Sequence, residues 1–128
     1  MVEKHLSTQF DNELSGISTR VLEMGGLVES QVAQAIYALT NFGGDVATQV
    51  LQLEEKVNQM EMEIDADLST IIARRQPTAR DLRLLIAFSK ATANLERMGD
   101  EATKMARMVK SIIESGAART LPTSELRV

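Results

Sequence analysis

The feature that most constrains the fold is an apolar side chain at every third or fourth position, maintained along three long segments. Such spacing places the apolar side chains on one face of an α-helix. The first segment carries Phe10, Leu14, Ile17, Val21, Met24, Val28, Val32, Ala35 and Leu39. The second carries Val46, Val50, Leu53, Val57, Met60, Ile64, Leu68 and Ile71, and the third carries Leu85, Phe88, Thr92, Leu95, Gly99, Ala102, Ala106, Val109 and Ile113. We therefore predict three long amphipathic helices, with Val57 and Leu95 in the shared core.

Glycine, proline and short polar residues divide these segments. Thr8 predicts an N-cap for the first helix, and Asn41-Phe42-Gly43-Gly44 predicts its end. Asp45 is then the expected N-cap of the second helix. The mid-helix pair Gly25-Gly26 either admits a close helix neighbour or marks a bend.

The second connection is equally short. Pro77 prevents the second helix from continuing, and Thr78 is the expected N-cap of the third. Gly116 is expected to stop that helix. Short connections join antiparallel neighbours, so the predicted fold is all-α, an elongated antiparallel up-down-up three-helix bundle over 1–116, with a linker or frayed tail over 117–128.

Composition excludes several function classes. The chain has no cysteine, its one histidine is His5, and its formal net charge is −4. Thiolate sites, histidine-based catalysis and nucleic-acid binding all lack their usual residues. No apolar run reaches the ~20 residues that a membrane span requires. We expect a cytoplasmic protein that is not an enzyme, has no catalytic residues or organic-cofactor site, binds no nucleic acid and does not insert into a membrane.

Acidic residues four apart, which share one face of a helix, occur three times. The pairs are Glu61 with Asp65, Glu63 with Asp67, and Glu96 with Asp100. Most such pairs belong to solvated faces. The alternative is a hard-cation site, because Mg²⁺, Mn²⁺ and iron favour oxygen ligands and small side chains surround Glu96 and Asp100.

Four stretches resemble the PhoU family of phosphate-uptake regulators. They are Arg74-Arg75-Gln76-Pro77-Thr78-Ala79-Arg80-Asp81-Leu82-Arg83, Leu95-Glu96-Arg97-Met98-Gly99-Asp100, Asn58-Gln59-Met60-Glu61-Met62-Glu63-Ile64-Asp65, and Met24-Gly25-Gly26-Leu27-Val28-Glu29. In that family a three-helix unit occurs twice, each with an acid-x-x-x-Asp signature. The signature corresponds here to Glu96 and Asp100, and the resemblance singles out Glu61 and Asp65 in the second helix.

The resemblance implies a multinuclear iron, zinc or magnesium cluster held by Glu61, Asp65, Glu96 and Asp100. It also implies a negative regulator of phosphate uptake that contacts a sensor histidine kinase and the ATPase subunit of a phosphate ABC transporter. Only one repeat is present, so either the sequence is a truncated product or two chains associate as a homodimer. The alternative function is a metal-free helical oligomerisation or scaffold module.

The two acidic pairs must lie at matching heights to share a cluster. Counting from a turn at Gln76, at about 1.5 Å per residue, predicts that Asp65 and Glu96 are offset by about 13 Å and Glu61 and Glu96 by about 7 Å. A shared cluster is expected only if Glu61 reaches toward Glu96.

Overall fold

The computed structural model describes the backbone of residues 2–118 and the side chains of residues 8–116. Helix α1 spans Val2–Asn41, α2 spans Gly44–Arg75 and α3 spans Ala79–Ala118. Each helix packs against both of the others, and the two short connections make the neighbours antiparallel. The predicted all-α, up-down-up bundle is confirmed, and the prediction for residues 119–128 falls outside the described part of the chain.

The predicted segment Asn41-Phe42-Gly43-Gly44 does end α1, but the left-handed residue is not a glycine. Phe42 adopts the left-handed conformation, with φ of 48°, and the amide of Gly43 donates to the carbonyl of Ala38 at 3.1 Å. This is the hydrogen bond of a Schellman ending, with Phe42 in the position that glycine usually takes. Gly43 is the N-cap of α2, so the prediction of Asp45 as N-cap was wrong. Asp45 lies instead in the first turn, where its carboxylate favours the positive end of the helix dipole.

The turn between α2 and α3 follows the sequence more closely. Gln76 ends α2 in the left-handed conformation, with φ of 45° and ψ of 63°, and Pro77 prevents further helix. The hydroxyl of Thr78 accepts a hydrogen bond from the amide of Asp81 at 3.3 Å. The predicted N-cap of α3 is therefore confirmed.

Two predicted helix ends were wrong. Helix α1 begins at Val2, so Thr8 lies within it, and no glycine or proline precedes Thr8 to interrupt the helix. Helix α3 continues past Gly116 to Ala118. A single glycine disfavours helix by only about 1 kcal/mol, which is too little to stop a helix of this length by itself.

The core divides into two clusters along the bundle. The cluster at the α2–α3 turn contains the larger buried side chains, namely Ile17, Met24, Val28, Val57, Ile64, Leu68, Ile71 and Leu85. The cluster at the other end contains the smaller Ala35, Ala38, Ala47, Val50, Ala102, Ala106 and Val109. Val57 is fully buried as predicted, whereas Leu95 is half-buried and packs against the first cluster. Small side chains in the second cluster allow the helix backbones to approach closely.

Two glycines mark where α3 approaches its neighbours. A Cβ atom built on Gly25 would lie 3.9 Å from Leu95 Cδ1, an ordinary van der Waals contact, so Gly25 faces α3. A Cβ built on Gly99 would lie 3.7 Å from Val57 Cγ1. Gly99 and Val57 are therefore opposite each other on α3 and α2. Within residues 2–118, no helix is long and apolar enough to cross a membrane.

Candidate metal centre

The pairing of Gly99 with Val57 determines which acidic residues meet. One helical turn from this pair toward the α2–α3 turn lie Glu61 on α2 and Leu95 on α3. Glu61 is therefore level with Leu95 and Glu96, and the predicted offset of about 7 Å was wrong. The predicted offset was counted from Gln76 as the midpoint of the α2–α3 hairpin. Val57 and Gly99, which lie opposite each other, are equidistant in sequence from Thr78, so the midpoint is two residues later.

The carboxylates of α2 and α3 perturb one another. Partial burial, followed by the charges of Asp65, Asp100 and Glu54, raises the pKa of Glu61. Burial also raises the pKa of Glu96 to about 7, assisted by a hydrogen bond to Asp100 and by the charges of Asp100, Glu61 and Glu54. Two helices thus direct Glu54, Glu61, Glu96 and Asp100 toward one region, which we call the acidic cluster. Because like charges raise the pKa of a carboxyl group, this region is one in which a cation would be stabilised.

Three of the four predicted site residues belong to the acidic cluster, and the fourth lies at its margin. Glu61, Glu96 and Asp100 are half-buried and belong to the acidic cluster, whereas Asp65 is exposed. Asp65 acts on Glu61 but is not among the groups that shift the pKa of Glu96. It therefore lies at the margin of the cluster.

The second acidic pair on α2, Glu63 with Asp67, contacts other residues. Asp67 forms an ion pair with Arg20 of α1, and Glu63 accepts a hydrogen bond from Gln59 at 3.3 Å. Both contacts are those of a solvated helix face, where ion pairs contribute little. Glu63 and Asp67 therefore lie outside the acidic cluster.

Glu54 is a member of the cluster that sequence reasoning missed. Its Oε2 accepts a hydrogen bond from the hydroxyl of Thr103 at 2.7 Å, and its Oε1 is buried without a hydrogen-bond partner. Glu54 precedes Glu61 by seven residues, which is about two turns and places both on one face of α2. That spacing was the available signal.

Helix α1 also contributes a polar group. Gln31 is fully buried, and its Nε2 donates to the carbonyl of Val50 at 3.2 Å. Its Oε1 has no hydrogen-bond partner. A Cβ at Gly99 would lie 2.9 Å from Gln31 Oε1 and 3.3 Å from Glu54 Oε1, so both unpartnered oxygens pack against Gly99 and a side chain at this position would force them to move.

These residues suit a hard cation, since carboxylate and amide oxygens are the ligands that Mg²⁺, Mn²⁺ and Ca²⁺ prefer. Across the described side chains, 8–116, no three Asp, Glu or His groups already converge as metal ligands. Coordination by three or more of the acids therefore requires side-chain rotation, and Glu61, Glu96 and Asp100 are partly exposed to solvent.

Comparisons with known proteins match the part of the chain that contains the acidic cluster. A sequence profile described as the PhoU domain matches residues 21–109. The chain belongs to the PhoU domain family. The matched range contains the whole acidic cluster together with Gln31 and Gly99.

Individual PhoU proteins agree over most of this chain. A phosphate-specific transport system accessory protein PhoU homolog from Burkholderia is 47% identical over 117 residues, which is 91% of this chain and 50% of that protein. The phosphate-specific transport system accessory protein PhoU of Escherichia coli K12 is 49% identical over 106 residues, which is 83% of this chain and 44% of that protein. The crystal structure of PhoU from Pseudomonas aeruginosa superposes with a TM-score of 0.81 at 47% identity, covering 84% of this chain and 51% of that one. The chain thus spans about half the length of the PhoU proteins that it matches.

Proposed function

We propose that this chain is a regulatory helical unit of phosphate transport and phosphate-starvation signalling. The observation that carries the proposal is the identity of 47–49% to phosphate-specific transport system accessory proteins, maintained over 83–91% of the chain. The buried and half-buried polar groups of α2 and α3 lie within the matched region. The described side chains, those of residues 8–116, include neither a histidine nor a cysteine for catalysis, which favours an accessory role over an enzymatic one.

The acidic cluster is proposed to bind a metal ion. Glu61, Glu96 and Asp100 would supply carboxylate oxygens, with Asp65 at the margin and Glu54 beneath them. A bound cation would neutralise the mutual repulsion that raises the pKa values of Glu61 and Glu96. Iron, zinc and magnesium, as single ions or in a multinuclear cluster, are the candidates. A bound metal would tie α2 to α3 and make the surface of the bundle more rigid.

The proposed partners are the ATPase subunit of a phosphate ABC transporter and a sensor histidine kinase, which the chain would join as a cytoplasmic adaptor that restrains phosphate uptake. A rigid three-helix bundle suits such a role, because its faces are held in a constant relation to one another. Metal binding would then make one face of the adaptor less negative.

Complementation of a bacterial strain that lacks its own PhoU protein tests the proposal. We expect the chain to restore low phosphate uptake in phosphate-rich medium, measured with radiolabelled phosphate, and to restore repression of a phosphate-starvation reporter. A matched variant, Glu96→Ala with Asp100→Ala, tests the contribution of the acidic cluster, and Glu63→Ala serves as the control. If the well-expressed wild-type chain leaves uptake and reporter unchanged, the regulatory proposal fails for this chain.

A second function, helical oligomerisation without metal, is favoured by an apolar surface on the opposite side of α3. Met98 and Ile112 lie there and are 50% and 44% exposed, whereas Met105, seven residues from each, is half-buried and packs against the second core cluster. Met98 and Asp100 are two positions apart and hence about 200° apart around the helix. On α1, Leu22 and Ile36 are 74% and 50% exposed. Exposed apolar surfaces of this kind mark interfaces.

We propose that this surface pairs two copies of the chain with two-fold symmetry. Sedimentation equilibrium should show a dimer at micromolar concentration, and Met98→Glu with Ile112→Glu should convert it to monomer without loss of helix. A wild-type chain that remains monomeric at high micromolar concentration would refute the dimer. Dimerisation that persists in a chelator, together with normal regulation by the Glu96→Ala, Asp100→Ala variant, would favour the metal-free function.

A further inference from the structure

The first half of α3 carries exposed cations without exposed acids. Between residues 79 and 99 both acids, Asp81 and Glu96, are half-buried, whereas the exposed charged side chains are Arg80, Arg83, Lys90 and Arg97. Within the described side chains, 8–116, none of these cations forms an ion pair. The chain as a whole has a net charge of −4, so the cations are a local segregation of charge that attracts acidic groups.

Three of these cations lie in a row. Arg83, Lys90 and Arg97 follow one another at intervals of seven residues. Seven residues make nearly two helical turns, so the three side chains form a line parallel to the helix axis, about 21 Å long. We call this line the basic stripe. A second helix packed alongside presents its own side chains at the same interval, so the basic stripe matches acidic side chains spaced by seven residues on a partner helix.

An apolar groove between α2 and α3 runs beside the basic stripe. The groove has a volume of about 560 Å³ and is lined in part by Leu68 and Ile72 of α2 and by Leu85, Ile86 and Lys90 of α3. Ile72 and Ile86 are exposed large apolar side chains. An apolar side chain of a partner helix would cover both, in the manner of a helix that docks into a groove.

The acids nearby weigh against broader anionic partners. Asp65 lines the same groove, and Asp100 is three positions from Arg97 and hence about 60° from it around α3. A membrane surface or a nucleic acid would bring its phosphates against these carboxylates as well as against the basic stripe. An amphipathic helix can confine its acids to one side. A second copy of the chain, paired through the stripe by two-fold symmetry, would place cations opposite cations.

We infer that the basic stripe and the groove beside it form a docking surface for an amphipathic α-helix of a partner protein. Carboxylates of that helix pair with Arg83, Lys90 and Arg97, and an apolar side chain enters the groove next to Ile72 and Ile86. The inference rests on the proposed adaptor function and adds the surface and the kind of partner element through which it acts. The two arginines can each form paired hydrogen bonds with a carboxylate, which fixes the register of the partner helix.

The probe that tests the docking surface is a synthetic helical peptide with three glutamates at seven-residue intervals and a leucine three residues after each. Its binding to the chain is measured by fluorescence anisotropy, and we expect saturable binding that weakens as the salt concentration rises. The control peptide has the same composition, but its glutamates stand at every fifth position and so do not share one face of the helix. Equal binding of the two peptides, or no binding of the first at millimolar concentration, overturns the docking surface.

The matched variants are Lys90→Glu and Lys56→Glu. Both lysines are exposed and neither forms an ion pair within residues 8–116, but Lys56 lies outside the stripe on α2. We expect Lys90→Glu to weaken peptide binding by about fivefold to tenfold and Lys56→Glu to leave it unchanged. A peptide with lysine in place of the middle glutamate should recover binding to Lys90→Glu. Wild-type affinity in Lys90→Glu, with its helix content intact by circular dichroism, contradicts the pairing.

Two further measurements separate the alternatives. The chain should not sediment with phosphatidylglycerol vesicles, and sedimentation that Lys90→Glu abolishes would assign the stripe to a membrane and overturn the helix partner. In the complementation assay, Lys90→Glu should lose repression of the phosphate-starvation reporter while Lys56→Glu keeps it. Full repression by both variants overturns the docking surface and leaves the regulatory proposal standing. A wild-type chain that binds the first peptide selectively but restores no repression overturns the regulatory proposal and leaves the docking surface standing.

Discussion

Replacing Glu96 with glutamine should reduce the pH dependence of stability of the metal-free chain. The side chain keeps its size and its ability to hydrogen-bond to Asp100, but it loses its charge. In the folded chain the pKa of Glu96 rises from 4.5 to about 7, because of burial, the hydrogen bond to Asp100 and the neighbouring carboxylates. The folded state therefore holds this proton more tightly than the unfolded state does. The associated stability is fully present below about pH 4.5 and is lost as the pH rises through about 7.

The size of the effect follows from the shift. A rise from 4.5 to about 7 corresponds to at most about 3 kcal/mol. Glu96 is only half-buried, and solvent screening reduces the expected contribution to about 1–2 kcal/mol. Glutamine cannot ionise, so this contribution is absent from the variant.

Urea unfolding in the presence of a chelator, monitored by circular dichroism at pH 5 and pH 8, measures the effect. We expect the wild-type chain to lose about 1–2 kcal/mol more stability between these pH values than Glu96→Gln loses. Glu101→Gln is the control, because Glu101 is an exposed residue of the same helix, and its pH dependence should match that of the wild type. The same loss of stability in the wild type and in Glu96→Gln would refute the role given to the acidic cluster.

Three further predictions concern the fold. Ile64→Ala, at a fully buried site, should cost about 2–5 kcal/mol in urea unfolding, whereas Ile72→Ala, at a site 40% exposed, should cost much less; similar losses would show that the helix phase is wrong. Thr78→Ala should cost about 0.5–2 kcal/mol through loss of the N-cap of α3, and Thr78→Ser should restore the loss, so a fully stable alanine variant would contradict the cap. The ion pair of Arg75 with Glu13, at 2.6 Å, should contribute about 0.5–1 kcal/mol in a double-mutant cycle at low salt; a coupling energy near zero would mean that the pair does not hold α1 against the α2–α3 turn.

A helix end was predicted correctly where one residue excluded any alternative, and incorrectly where the helix could also begin at a neighbouring residue. Pro77 cannot occupy the interior of a helix without losing a hydrogen bond, so the end of α2 was predictable from one residue. Thr8 and Asp45 were weaker signals, because helix can begin upstream of either residue at little cost. The propensity of the neighbouring residues then decided where each helix begins.

The candidate site was half predictable for the same reason. Glu96 and Asp100 share a face through the period of their own helix, which the sequence contains directly. Glu54 was missed although it precedes Glu61 by seven residues, because that spacing does not reveal its contact with Thr103 of another helix. Gln31 gave no signal at all, since a glutamine on an amphipathic helix is usually exposed.

The sequence by itself determined the three helices, their apolar faces and the pairing of acids four residues apart, since all of these follow from the helical period and from residues close in the chain. Only the tertiary structure decided that Val57 lies opposite Gly99, that Glu61 is thereby level with Glu96, and that Gln31 and Glu54 both pack against Gly99. The height at which two helices pair depends on the conformation of the turn and on how the side chains of both interdigitate.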